Sequence, residues 1–133
     1  MALVWSALLA LLLIQVKHLL IDWIWQPPYE HQNKGTYGHF GGIRHAGKNA
    51  LGTGYALFLG FLPVTTLSGW FLLTLVILDF LVHYHVDWVK MNLNRRHALC
   101  PLTHAQFWWL TGLDQFLHQV TYVALVALVL LWL

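Results

Sequence analysis

The sequence predicts an all-α polytopic membrane protein: a single transmembrane domain over 1–133, folded as a four-transmembrane-helix bundle with both termini on the non-cytoplasmic side. Three observations predict it. Hydrophobic residues make up 59% of the chain and charged residues 9%, too little charge to keep a soluble domain of this size dispersed. Four apolar stretches approach or exceed the roughly 17 to 25 residues that cross a ~30 Å hydrocarbon core. Every Lys and Arg, at 17, 34, 44, 48, 90, 95 and 96, falls on or near one side of the resulting topology.

The first stretch, about 3–25, stops at Pro27 and Pro28, which cannot continue a helix. It has no basic segment before it and no small-residue cleavage pattern after it, so it reads as a retained helix and not as a signal peptide. The second, about 47–63, is short and carries Gly52, Gly54 and Gly60, small residues that let neighbouring helices approach closely. A tight turn at 64–67 leads to the third, about 68–90. The fourth, about 103–133, opens with Thr103 and Gln106 in capping-box spacing. With four crossings, the polar loop 26–46 and the connection 91–102 share one side, and the termini and the tight turn share the other. The basic residues make the loop side cytoplasmic. Eight Trp, many near the expected helix ends, suit interfacial belts. The lone Cys100 leaves the redox compartment open.

Three helices repeat one pattern, a histidine and an aspartate four residues apart: His18 and Asp22, His83 and Asp87, Asp114 and His118. Residues at i and i+4 share a helix face. Each histidine lies about 22 Å from the terminus-side end of its helix, at ~1.5 Å per residue. The pair in the fourth helix is reversed, and that helix runs the opposite way to the first and third. Asp22, Asp87 and Asp114 therefore form one layer and the histidines another, one turn deeper. Asp79 extends the third helix's face, and Lys90 lies beyond Asp87. Ionisable groups inside a membrane cost ~2.5–3.5 kcal/mol each on insertion scales, so these must face inward and satisfy one another. Two accounts compete. In one, the His/Asp set holds one or two divalent metals, with His45 as an extra ligand and Asp79 as a deeper one. In the other, it is a hydrogen-bonded network that braces the bundle or relays protons.

Other polar residues read more simply. His85 is rotated away from His83, and His31, His39, His97 and His104 are solvated loop residues. Gly41 and Gly42 form a turn. Arg44, Lys48, Arg95 and Arg96 set topology and touch anionic headgroups, or Arg44 and Arg95 clamp a phosphate beside the metal.

At these residues the chain resembles a bacterial inner-membrane family catalogued as domain of unknown function 3307. The resemblance runs through His18, Asp22, Gln26, Asn33 and Lys34, then Gly41, Gly42, His45 and Ala46. It continues through His83, Asp87 and Lys90 to Asp114, Gln115 and His118. It covers most of the chain and departs from the pattern at Asn49, where a second histidine is expected one turn after His45. The resemblance implies a shared site in a bacterial inner membrane and names no reaction.

The leading functional expectation is a membrane-embedded metalloprotein with a His/Asp site near the cytoplasmic leaflet. Without a thiolate near the site, Zn, Mn or Fe suits it better than a soft metal. The reaction expected is metal-dependent hydrolysis of a lipid-linked ester or phosphate, the basic loops holding the headgroup, or else iron-dependent oxidation of a lipid chain. A different class is a non-catalytic membrane subunit that binds a partner membrane protein or a second copy. Membrane lipids are partners in every case, and nucleic acid in none.

Overall fold

A computed structural model describes residues 1–133 and contains helices only. α1 runs Ala2–His18 and continues as a π-helical turn, Leu19–Ile24. A short α2, Pro28–Asn33, precedes α3, Phe40–Phe61. α4 spans Gly69–Arg96 and α5 spans Ala105–Trp132. The long helices form a closed ring in which α1 packs on α3 and α5, and α4 lies between α3 and α5.

Three segments are long and apolar enough to cross a membrane: Ala2–Ile24, Gly69–Arg96 and Ala105–Trp132. α3 is not among them, although the sequence predicts four. It begins at Phe40, seven residues before the expected 47, and so takes in Arg44 and His45. Gly41 and Gly42, expected as a turn, lie in its first helical turn, where the His39 ring accepts from the Gly41 N–H at 3.0 Å. Both glycines admit neighbours: a side chain at Gly41 would strike Asn33 and the Tyr29 carbonyl, and one at Gly42 would press on Lys34.

The other boundaries move less. α4 continues to Arg96, so Arg95 and Arg96 sit on its last turn and the following connection shrinks to 97–104. The expected capping box at Thr103 does not form. His104 precedes α5, and no side chain caps its N-terminus. Ser68 does cap α4, accepting from the Phe71 N–H at 3.2 Å. Pro28 both ends the first segment and occupies the first turn of α2, where its missing N–H costs nothing.

The bundle is divided lengthwise by chemistry. Its apolar half is a core of Ala10, Ile14, Leu57, Phe61, Leu75, Leu125 and Val129, at the end where both termini and the 62–68 turn meet. Phe71 stacks on Trp132 there, with ring centroids 4.7 Å apart. Gly60 sits against the Ala10 backbone, which brings α1 and α3 close. The opposite half is polar inside. Trp5, Trp70 and Trp132 are exposed around one end and Trp23, Trp25, Trp108 and Trp109 around the other, with exposed Leu and Val between them. That is the surface expected of a chain in contact with lipid.

Candidate metal centre

The polar half gathers the paired residues of three helices around a fourth. His45, from the second turn of α3, is 1% exposed and stands between the carboxylates of α1 and α4. Its Nε2 lies 2.8 Å from Asp22 Oδ1 and 3.1 Å from Asp87 Oδ2. His83 Nε2 lies 3.2 Å from His45 Nε2, 3.4 Å from Asp87 Oδ2 and 3.9 Å from Asp22 Oδ1. Four ligands bound tetrahedrally at ~2.0–2.2 Å would stand ~3.3–3.6 Å apart. The separations bracket that value. A second group, Asp87, Asp114 and His118, shares Asp87 with the first. His118 Nε2 is 3.4 Å from Asp114 Oδ1 and 4.0 Å from Asp87 Oδ1.

The polar atoms of the two groups are only partly satisfied. Asp114 Oδ1 and His118 Nε2 are buried and approach each other only to 3.4 Å, whereas Asp22 Oδ1 and Asp87 Oδ2 have the His45 ring within hydrogen-bond reach at 2.8 and 3.1 Å. A bracing or proton-carrying network satisfies its members, because an unpaired buried charge loses its full solvation. The contacts of His45 with Asp22 and Asp87 meet that requirement, and the atoms around Asp114 and His118 do not. The donor set fits divalent metal: four side chains in the first group, three in the second, with the Asp87 carboxylate available to both.

The layers expected from the reversed pair are present. His83 and His118 stack at 4.2 Å between centroids, and the His18 ring lies 5.6 Å from His118. His18 and Asp79, however, belong to neither group. The nitrogens of His18 are taken by Gln115 Oε1 at 2.8 Å and Tyr122 OH at 3.0 Å. Asp22, in the π-helical turn, keeps one oxygen 3.7 Å from His18 Nε2 and turns the other to His45 at 2.8 Å. Asp79 lies deeper, 1% exposed, with Oδ2 unpartnered. The buried Lys17 amine bonds Tyr122 OH at 3.1 Å and Asn49 Oδ1 at 3.3 Å. Asn49 thus faces the deep polar residues, and its amide also approaches His45 Nε2 at 3.4 Å.

Arg44 does not face the centre. Its Nε lies 2.7 Å from Glu30 Oε1, and its guanidinium rests over Tyr29. Arg95 is exposed and lines a basic cavity with His31 and Lys90. The cations at the carboxylates are ones the sequence reading did not assign: Lys34 Nζ is 3.0 Å from Asp87 Oδ1, and Lys90 Nζ is 3.6 Å from Asp114 Oδ2. Burial opposes charge on Lys34, but the Asp87 and Asp22 carboxylates outweigh it and raise its pKa. His31, expected to be solvated, borders a polar cavity of about 320 Å³ that reaches Asp22, Lys34 and Asp114. His85 turns away as expected and bonds the Leu81 carbonyl at 2.7 Å.

Glu30 is the residue that the sequence concealed most completely. It is fully buried on α2, with Oε2 2.8 Å from Lys48 Nζ and 3.4 Å from His45 Nδ1. Burial alone would raise its pKa. The Lys48 and Arg44 contacts prevail and lower it, so it is a carboxylate. A proton on His45 Nδ1 directed toward Glu30 Oε2 would leave the Nε2 lone pair facing Asp22 and Asp87, where a metal would lie. Glu30→Gln is expected to lower metal affinity by about 10- to 100-fold, the range for partners that orient a ligating histidine. Metal titration of the purified variant against wild type checks it, and equal affinities would remove Glu30 from this role.

No family model, curated protein or solved structure matches the chain.

Proposed function

We propose that the chain is a membrane-embedded metalloenzyme that hydrolyses a lipid-linked ester or phosphate at a two-metal His/Asp centre. The observation that carries this reading is the pair of ligand groups joined at Asp87. Four protein ligands make the first group coordinatively full, as in structural sites. Three in the second leave a position for water or substrate, as in catalytic ones. Zn, Mn or Fe suits these donors, and no cysteine approaches them. Bound metal would polarise the scissile group and lower the pKa of water at neutral pH. The chain's own residues do the rest. Asp114 and His118 face the position where the substrate is attacked. Lys90, beside Asp114, and Lys34, beside Asp87, supply fixed positive charge where an anionic headgroup or developing oxyanion would lie. These cations favour hydrolysis over chain oxidation, which develops no such charge.

The resemblance to domain of unknown function 3307 belongs to the same proposal, as does a place in a bacterial inner membrane. So does a fourth crossing by α3, which has the length and turns His45, Asn49 and Thr53 into the bundle. In that topology the centre faces the cytoplasmic leaflet. A reporter inserted at Gly38, whose surroundings are open, should report the cytoplasm, and one fused after Leu133 the outside. The same side for both would contradict four crossings.

Activity is tested with metal-loaded protein in phosphatidic acid vesicles. Release of inorganic phosphate is expected, falling by about 10³-fold or more in His118→Ala, since the open metal position carries the chemistry. Turnover unchanged by that substitution would overturn the assignment of the open position. No phosphate release from a metal-replete wild type would exclude phosphomonoester lipids as substrates.

A further inference from the structure

Asp114, itself buried, backs onto a cavity on the lipid-facing side of the bundle. Between α4 and α5 lies an apolar cavity of about 230 Å³, walled by Val89, Leu93, Leu113 and Leu117, and it also touches Lys90 and Asp114. The same two residues border the polar cavity that opens onto Asp22 and Lys34. Lys90 further borders the basic cavity beside His31 and Arg95. A hydrocarbon slot, a cationic pocket and the candidate metal ligands therefore meet at one side chain.

We propose that this slot seats one hydrocarbon chain of an anionic, phosphate-bearing lipid, which reaches the centre sideways from the bilayer and whose phosphate is held at Lys90. The proposal deepens the hydrolase reading and rests on its metal centre both for the reaction and for the positive charge that selects an anion. Charge complementarity selects the occupant. With divalent ions on Asp22, Asp87 and Asp114, and with Lys34 and Lys90 alongside, the pocket is net positive and an anion completes it. The chain's depth then follows from geometry: the phosphate stands at the α4–α5 seam with its tail toward Leu113 and Leu117. Arg95, at the outer cavity, meets the rest of the headgroup.

Metal-loaded protein in detergent is titrated with phosphatidic acid carrying a nitroxide on its acyl chain, and with the same label on phosphatidylcholine. Wild type is expected to immobilise the phosphatidic acid preferentially. Leu113→Trp, which fills the slot from a half-exposed position, should abolish that immobilised fraction. Val120→Trp, on the exposed face of the same helix, should leave it intact. Lys90→Gln should weaken the phosphatidic acid preference about tenfold, as loss of one charge-assisted phosphate contact would. Equal immobilisation of both lipids by wild type, or equal behaviour of the Leu113→Trp and Val120→Trp variants, would overturn the proposal. A slot closed by a second copy would show as dimers that immobilise neither lipid, and would overturn it too. Metal content measured on the same samples keeps the two readings apart: stoichiometric metal without lipid selectivity sinks the slot and spares the hydrolase, whereas selectivity that persists without metal sinks the hydrolase and the metal-charge argument for the anion together.

Discussion

Replacing Asp87 with asparagine is expected to empty both halves of the centre at once. Asp87 is 2% exposed and is the member common to the two ligand groups. It also neutralises Lys34, which is itself buried. The neutral amide keeps the shape of the side chain but withdraws the charge that both ions and the lysine require. Leaving one partner of a buried pair uncompensated costs about 3–5 kcal/mol, so the metal-free variant should also unfold more readily in detergent. The diagnostic is the pattern across variants. His118→Ala should keep the ion held by Asp22, His45, His83 and Asp87, His83→Ala should weaken that ion first, and Asp87→Asn should retain neither. Metal analysis after gel filtration reads all three. If Asp87→Asn lost only one ion, or none, Asp87 would not be shared.

The second large effect is mechanical. A side chain at Gly60 would begin 2.5 Å from Ala10 Cα, an approach that no real Cβ makes, and the obstacle is helix backbone that cannot rotate aside. Gly60→Leu should therefore force α1 and α3 apart. Overpacking costs ~1–3 kcal/mol where side chains can yield, and more is expected where they cannot. Gly54→Leu, directed at the Val76 side chain on α4, should cost less, because an isopropyl group can shift. Gly47→Ala and Gly112→Ala, with nothing near their added atoms, serve as controls. Thermal unfolding in detergent ranks the four. Equal stability of Gly60→Leu and Gly112→Ala would refute close α1–α3 packing.

What the sequence made legible follows from periodicity. The i,i+4 pairs at His83/Asp87 and Asp114/His118, with their reversed order, come together in the structure because α-helical spacing fixes a shared face whatever the helix ends are. The pair at His18/Asp22 stays in contact at 3.7 Å but divides its partners. Nothing in Leu19–Ile24 announces a π-helical turn, from which Asp22 also reaches His45 while the His18 nitrogens bond Tyr122 and Gln115. His45 was recognised as a ligand but placed before its helix, since two glycines read more naturally as a turn than as a first helical turn packed on Lys34. Glu30, Lys34 and Gln26 lie in a segment too short for periodicity. The available signal was Pro28 followed by Glu30, a proline in the first turn with an acid beside it, which marks a helix start. Lys17 and Tyr122 were hidden for another reason: in an apolar run, a lysine near the helix end reads as snorkelling, whereas here it turns inward to Asn49 and Tyr122.

The most direct measurement is X-ray absorption at the metal edge, together with metal stoichiometry, on purified protein that has been dialysed against weak chelator. Two first-row ions per chain are expected, with nitrogen and oxygen neighbours at ~2.0–2.2 Å, no sulfur shell, and a metal–metal distance of ~3.5–4 Å set by the shared Asp87. Protein that retained no ion while keeping its fold, with His45, His83, Asp22 and Asp87 held by ~2.7–3.2 Å hydrogen bonds alone, would contradict the metal centre.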